Sequence, residues 1–339
     1  MGERIAIIGD GAWATVCAIM LAENVHQVRL WSAFADQAAE LASSRENRRF
    51  LPGVRLPQSV EVTGDDTDAL AGAELAVSAV PTQFMRAVWT RLARHCPAGL
   101  AICSVAKGIE NRTLLRPTQI LLDVLGGKGV GGAEGRAVAA LSGPSIAPEV
   151  AKKLPATVAV ASSEPDLAQR VQRLISRPYF RVYTNSDLTG VELAGATKNV
   201  IAIAAGVLDG LGAGDNAKAA LLTRGLVEIT RLGVALGARA ETFAGLAGMG
   251  DLVTTCISPI GRNRSFGEAI GRGRSVKDAL AATQSVVEGV PTTASVVELA
   301  RKAGVSMPIT QAVHDVIFAG RSPADAIGQL MSRPLKAES

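Results

Sequence analysis

"RIAIIGDGAWAT" (Arg4–Thr15) runs from a short apolar segment into a glycine turn, and then into an alanine-rich helical pattern that reaches about Asn24. Arg4–Ile8 suits a strand buried on both faces. "QVRLWS" (Gln27–Ser32) reads as the next strand. Strand, glycine turn, helix and strand form the context in which a GxGxxG-type motif binds a dinucleotide. Gly9 makes the tight turn. Gly11 lets the backbone approach a pyrophosphate, which would rest on the free N–H groups of the helix start. Ala14 takes the place of the third glycine and still allows close helix–strand packing. The second strand ends in Ser32-Ala33-Phe34, with no carboxylate for an adenosine ribose and no arginine for a 2′-phosphate. An ordinary glycine-rich turn in some other α/β protein is the competing reading.

Outward from this unit, "ELAVSAVPTQF" (Glu74–Phe84) and "LAICSVAKGIE" (Leu100–Glu110) look like parallel strands that end in polar loops. Ligands of open parallel sheets sit outside the carboxyl ends of the strands. Lys107 is therefore a candidate ligand contact, against the alternative of a solvated loop lysine. "AALSGPSIAPEVA" (Ala139–Ala151) is a strand running into a turn and a helix. "PATVAVAS" (Pro155–Ser162) and "YFRVYTN" (Tyr179–Asn185) add two strands, which leaves the end of a large sheet open to antiparallel pairing. "GGKGVGGAEG" (Gly126–Gly135) lacks the terminal Lys-Ser/Thr of a P-loop and reads as a flexible surface loop.

Past Asp187 helical patterns take over, at Leu188–Leu208, Ala217–Leu236, Leu252–Thr255, Arg264–Gly271, Ser275–Ala282, Thr292–Ala303 and Ile309–Phe318. A mixed half followed by an all-α half means two domains. The predicted fold class is α/β, a Rossmann-like, mostly parallel sheet domain over 1–187 followed by an all-α domain over 188–334, with a tail at 335–339.

Composition excludes several functions. The chain has 339 residues, enough for two cores, with 48% apolar and 19% charged residues, an ordinary globular balance. The net charge of +4 is scattered and aromatics are only 4%, so no nucleic-acid partner is expected. Cys17, Cys96, Cys103 and Cys256 have no metal-ligand spacing, and His26, His95 and His314 are isolated, so no metal is expected. The N-terminus enters a strand without a basic leader, and no stretch of some eighteen residues looks fit to span a membrane. A reducing cytoplasm is the expected location.

Chemistry concentrates in the helical half. "ELAGATKNVIAIAAG" (Glu192–Gly206) sets Lys198 and Asn199 inside an apolar stretch, where a lysine costs free energy unless paired. "GLAGMGDLVTTC" (Gly245–Cys256) carries Asp251, an N-cap by position, and Thr255 four residues on and so on the same helix side. "SPIGRNRSFG" (Ser258–Gly267) places Arg262, Asn263 and Arg264 at a helix start, which suits a phosphate or equally a solvated basic turn.

The set resembles the NAD(P)-dependent glycerol-3-phosphate dehydrogenases over nearly the whole chain. GDGAWAT, NRRFLPGVRLP (Asn47–Pro57), VAKG, SGPSIAPEVA, ELAGATKNVIAIAAG, LTRGLVEITRLG (Leu222–Gly233), GLAGMGDLVTTC, GRNRSFG and VVEGVPT fall in the family's order and spacing. The resemblance implies reversible hydride transfer from NAD(H) or NADP(H) to dihydroxyacetone phosphate, giving sn-glycerol 3-phosphate for glycerophospholipid synthesis. Lys198 falls on the family's proton donor and acceptor. Lys107, Asn199, Asp251 and Thr255 match residues around the triose, and Gly261, Arg262 and Asn263 match the phosphate contacts, with Arg262 also on the cofactor. Gly9, Gly11, Ala12, Trp13, Ala33, Lys107, Ala147, Val286 and Glu288 match cofactor-side positions. A homodimer through the helical half is implied as well. Many bacterial members carry Arg or His at Ala33, so the expectation here is weak discrimination between the two cofactors with a lean toward NADH. The rival readings are another two-domain hydroxyacid or ketopantoate-type reductase, and a non-catalytic dinucleotide sensor on the same scaffold.

Overall fold

The computed structural model describes residues 2–126, 136–283, 285–335 and 337. Most of the glycine-rich run, 127–135, and residues 336, 338 and 339 of the tail lie outside the described residues.

One eight-stranded sheet forms the first half, in the order β3-β2-β1-β4-β5-β6-β7-β8. Its strands are β1 (Arg4–Ile8), β2 (Gln27–Trp31), β3 (Val60–Thr63), β4 (Leu75–Ser78), β5 (Ala101–Ser104), β6 (Val138–Ser142), β7 (Ala156–Ser162) and β8 (Phe180–Asn185). β1 pairs in parallel with β2 and with β4, Ile8 standing opposite both Trp31 and Ser78. Only the β6–β7 pair is antiparallel, so the sheet turns there and β8 runs parallel to β7. The helices of this half are α1 (Ala12–Glu23), α2 (Ala35–Ser44), α3 (Asp66–Ala69), α4 (Thr82–Leu92), α5 (Pro117–Leu125), α6 (Ala147–Ala151) and α7 (Pro165–Ile175). The sheet carries two apolar cores, one packed with α1 and α7, the other with α4 and α5.

The strand order reverses direction between β1 and β4, and in such sheets the crevice at that point receives the ligand. Gly9 leaves β1 at φ +118°, a conformation that favours glycine, and an added Cβ there would lie 2.9 Å from the carbonyl of Ala79 at the end of β4.

The second half comprises α8 (Leu188–Leu211), α9 (Gly214–Ala235), α10 (Ala240–Ala244), α11 (Asp251–Ile257), α12 (Arg262–Gly271), α13 (Val276–Ala281), α14 (Gly289–Ala303), α15 (Pro308–Phe318) and α16 (Pro323–Met331). They pack round α8. By length and composition α8 could cross a membrane, contrary to the sequence expectation, but it is almost wholly buried inside the fold. It is the core helix.

Four buried polar side chains on or just before α8, those of Asp187, Glu192, Lys198 and Asn199, explain how so apolar a helix is oriented. Asp187, just before it, accepts from the Gly190 N–H at 2.8 Å and from the Thr242 hydroxyl at 2.7 Å. Glu192 accepts from the Thr118 N–H at 2.8 Å and from its hydroxyl at 2.7 Å, capping α5 of the other half, with Arg116 on the same carboxylate. Lys198 and Asn199 follow side by side, nearly two turns past Glu192. The closest helix contact is α8 on α12, which meet backbone to backbone. A Cβ on Gly206 would lie 1.9 Å from the Arg264 carbonyl, and one on Gly267 2.0 Å from the Ile203 carbonyl.

Gly267→Ala is therefore expected to lower the urea midpoint, costing at least about 1–3 kcal/mol because no rotamer relieves a backbone overlap. Gly328→Ala on α16, where an added Cβ meets nothing within 4 Å, is expected to raise the midpoint by up to about 1 kcal/mol through helix propensity.

Candidate active site

The two halves share the Asp251 carboxylate. Asp251 opens α11 directly after a π-helical turn at Leu246–Gly250 that pushes it inward, and it is 2% exposed. No backbone N–H at the helix start uses its side chain, so the N-cap reading does not hold. Instead, Lys198 Nζ donates to Asp251 Oδ1 at 2.6 Å, and Lys107 Nζ donates to Oδ2 at 2.6 Å. Thr255, one turn along α11, accepts from Lys198 through Oγ1. Asp251 and Thr255 do share a helix side.

Burial sets the electrostatics. Desolvation drives the Lys198 amine down to about 8, opposed by Asp251 and assisted by the like charge of Lys107. Burial alone would raise the Asp251 carboxyl, but the two ammonium groups hold it below the usual carboxylate range. An amine poised near 8 can give and take a proton close to neutral pH.

Lys107 follows β5, and its ammonium also donates to the Gly143 carbonyl at 3.0 Å and meets Ser145 Oγ at 3.5 Å. Ser142 Oγ lies 3.5 Å from Asp251 Oδ2. Sequence reasoning passed over Ser142 and Ser145, although SGPS at the end of β6 was a signal that a turn faces the site. Asn199 Nδ2 donates to the Lys107 carbonyl at 2.9 Å, and Asn263 Nδ2 donates to Asn199 Oδ1 at 2.9 Å. The Gly289 N–H donates to Asn263 Oδ1 at 2.9 Å. This amide relay ties the β5 loop, α8, α12 and the start of α14 into one piece.

Gly261 precedes α12 without any side-chain cap, leaving the first N–H groups of that helix free beside exposed Arg262. Arg262 donates to the Val286 carbonyl at 2.9 Å. Glu288, two residues on, accepts from the Thr82 N–H at 3.1 Å; burial raises its carboxyl and Arg262 opposes the shift. Arg264 is not a solvated turn residue. Its guanidinium pairs with Asp209 at 2.6 Å and with Glu268 at 3.2 Å.

On the other side of the crevice, α1 also starts without a side-chain cap and without an acidic residue in its first turn, and a Cβ on Gly11 would meet only open space. Uncapped N–H groups, a positive helix end and an open glycine fit a pyrophosphate. Ala12 begins this helix and Ala147 begins α6. Trp13 packs its ring on Phe180, 5.9 Å between centroids, so its backbone rather than its indole faces the turn. Ala33 is half-buried against the α4 side of the sheet.

A crevice at the β1–β4 reversal beside a buried lysine–aspartate–lysine cluster defines a two-domain dinucleotide-dependent dehydrogenase. The description "NAD-dependent glycerol-3-phosphate dehydrogenase N-terminus" matches residues 4–168, and "NAD-dependent glycerol-3-phosphate dehydrogenase C-terminus" matches residues 187–328. The chain belongs to the NAD(P)-dependent glycerol-3-phosphate dehydrogenase family, a family of oxidoreductases. Glycerol-3-phosphate dehydrogenase [NAD(P)+] of Citrifermentans bemidjiense is 47% identical over 338 residues, covering 100% of this chain and 99% of its own. The enzyme of that name from Koribacter versatilis is 48% identical over 338 residues, with 99% of each chain covered. The crystal structure of glycerol-3-phosphate dehydrogenase from Coxiella burnetii superposes with a TM-score of 0.93 at 37% identity, covering 98% of this chain and 99% of that one.

Asp251→Asn is expected to destabilise the fold by about 3–5 kcal/mol at pH 7, because two inward ammonium groups lose their counter-charge. The deficit shrinks as pH rises toward 8, because without the raising effect of Asp251 the Lys198 amine gives up its proton below its wild-type midpoint. Urea unfolding at pH 7 and pH 9.5 measures both.

Proposed function

We propose that this chain interconverts dihydroxyacetone phosphate and sn-glycerol 3-phosphate, with Lys198 as the proton donor in reduction and the base in oxidation. A reduced nicotinamide cofactor, its pyrophosphate resting on the Gly9–Gly11 turn, would supply the hydride to the ketone carbon. The proton for the ketone oxygen comes from the Lys198 ammonium, and the neutral amine left behind is tolerated because its site is already desolvated. Asp251 and Thr255 orient Lys198, Lys107 lies against the same triose, and Asn199 fixes the loop that carries Lys107. Gly261, Arg262 and Asn263 receive the phosphate at the start of α12, with Arg262 reaching cofactor and substrate together. Ala12, Trp13, Ala33, Ala147, Val286 and Glu288 line the cofactor side.

One observation carries this reading: a buried lysine is paired to a buried aspartate that a second lysine also holds. A dinucleotide sensor needs no proton donor, and a hydroxyacid or ketopantoate-type reductase needs no uncapped, arginine-flanked helix start for a phosphate. In the same reading the sheet half, to about residue 187, holds the cofactor, and the helical half, to about 334, holds the substrate. The product feeds glycerophospholipid synthesis in the cytoplasm. The working unit is a homodimer formed through the helical half.

Lys198→Ala is expected to cut turnover by ~10²–10⁴-fold with cofactor affinity nearly unchanged, and Lys198→Arg to fare little better because arginine keeps its proton. In the wild type, ketone reduction needs the ammonium, so its rate falls as pH rises through about 8, and alcohol oxidation rises through the same range. A variant rate within tenfold of wild type contradicts the assignment.

Arg262→Ala is expected to weaken dihydroxyacetone phosphate by roughly ten- to a hundredfold while barely affecting phosphate-free dihydroxyacetone. Equal losses on the two substrates would show that Arg262 does not read the phosphate.

A further inference from the structure

The end of β2 lacks an acidic residue in sequence, but the fold puts a carboxylate there. Asp10 sits between the two glycines of the turn, and its Oδ2 accepts from Ser32 Oγ at 2.7 Å. Ser32 is fully buried and is the first residue past β2, and its Oγ in turn accepts from the Phe34 N–H at 3.2 Å. The Asp10 backbone is fixed as well. Asn47 Nδ2 donates to its carbonyl at 2.7 Å and to Thr15 Oγ1 at 2.8 Å. Asp10 is only half-buried, and among the described residues nothing donates to its second carboxylate oxygen and no basic side chain pairs with it. In this fold class a carboxylate at that place accepts from the adenosine ribose hydroxyls.

Two of the neighbouring cations, Arg45 and Arg91, are committed elsewhere. Arg45 turns its guanidinium under the chain, onto the carbonyls of Pro57 and Val60. Arg48 is exposed and stands 3.8 Å from Glu46. Arg91 pairs with Asp66 at 2.6 Å, donates to the Ala33 carbonyl at 3.2 Å and lies over the Trp31 ring. A 2′-phosphate entering here meets a carboxylate that no basic side chain among the described residues pairs with.

We propose that Asp10 is a cofactor-specificity residue, which accepts from the adenosine ribose hydroxyl of NAD(H) and repels the 2′-phosphate of NADP(H). This rests on the glycine turn being the dinucleotide site. It sharpens the weak lean toward NADH that Ser32-Ala33-Phe34 alone supports into a definite selection. The competing role is a purely structural tie between the turn and β2, and that role needs the acceptor atom but not the charge.

Asp10→Asn separates the two roles, because the amide oxygen keeps the bond from Ser32 while the charge is lost. Calorimetric titration with ADP-ribose and with 2′-phospho-ADP-ribose, neither of which reacts, reads the site without turnover. The wild type is expected to favour the unphosphorylated ligand by at least tenfold, on the order of one charge-assisted hydrogen bond. In Asp10→Asn the ratio narrows, chiefly through tighter binding of the phosphorylated ligand. Ala33→Arg, which adds a cation beside the carboxylate, narrows it in the same direction. Equal wild-type affinities, a preference for the phosphorylated ligand, or an unchanged ratio in Asp10→Asn would overturn the proposal. Turnover of dihydroxyacetone phosphate with NADH or NADPH then shows whether the dinucleotide site itself stands. Binding of neither ligand, with no turnover, would remove that site and the proposal together.

Discussion

The Asp251 carboxylate is the joint on which the two halves of the molecule agree. One oxygen takes Lys198 from the core helix of the second half, and the other takes Lys107 from the end of β5 in the first. A buried ion pair contributes little net stability, and losing one partner is costly. Such a cluster therefore fixes geometry more than it adds free energy. Moving α11 or the β5 loop by an ångström would strand a buried charge. The sheet half and the helical half are thus held in register at this carboxylate.

The rest of the helical half is arranged to keep that joint dry and still. α8 is apolar enough to stay buried, and Glu192, Lys198 and Asn199 each have a partner outside the helix. The glycine contacts between α8 and α12 let Asn263 approach Asn199, which brings the free N–H groups of α12 beside the lysine. Substrate phosphate at one end and ketone at the other would then be fixed by two helices in direct backbone contact. Positioning of this kind lowers barriers because orientation is settled before the reaction begins.

Much of this was legible in the sequence because it is local. The β1–turn–α1 unit, the buried lysine and the one-turn spacing of Asp251 and Thr255 each follow from adjacent residues. What escaped reading depends on distant pairs. Asp10 reaches Ser32 across 22 residues, Glu192 caps a helix 74 residues away, and Glu228 caps α15 across 81. Arg264 could be read as a phosphate contact or a solvated turn residue, and its pairing with Asp209 on another helix was not visible locally. α2, α4, α5 and α7 were not read as helices because only one face of each is buried, and β3 is a four-residue edge strand of mixed burial. Short amphipathic elements owe their form to the sheet they cover, and a single sequence shows that only weakly.

Desolvation, held in balance by Asp251, brings the Lys198 amine down toward neutral pH. The most direct measurement is an NMR titration of the Lys198 ε-amine in protein labelled with ¹³C and ¹⁵N at its lysines, without substrate. The expected midpoint for Lys198 is near 8. A Lys198 midpoint at or above about 10, the range of a solvated lysine, would contradict it.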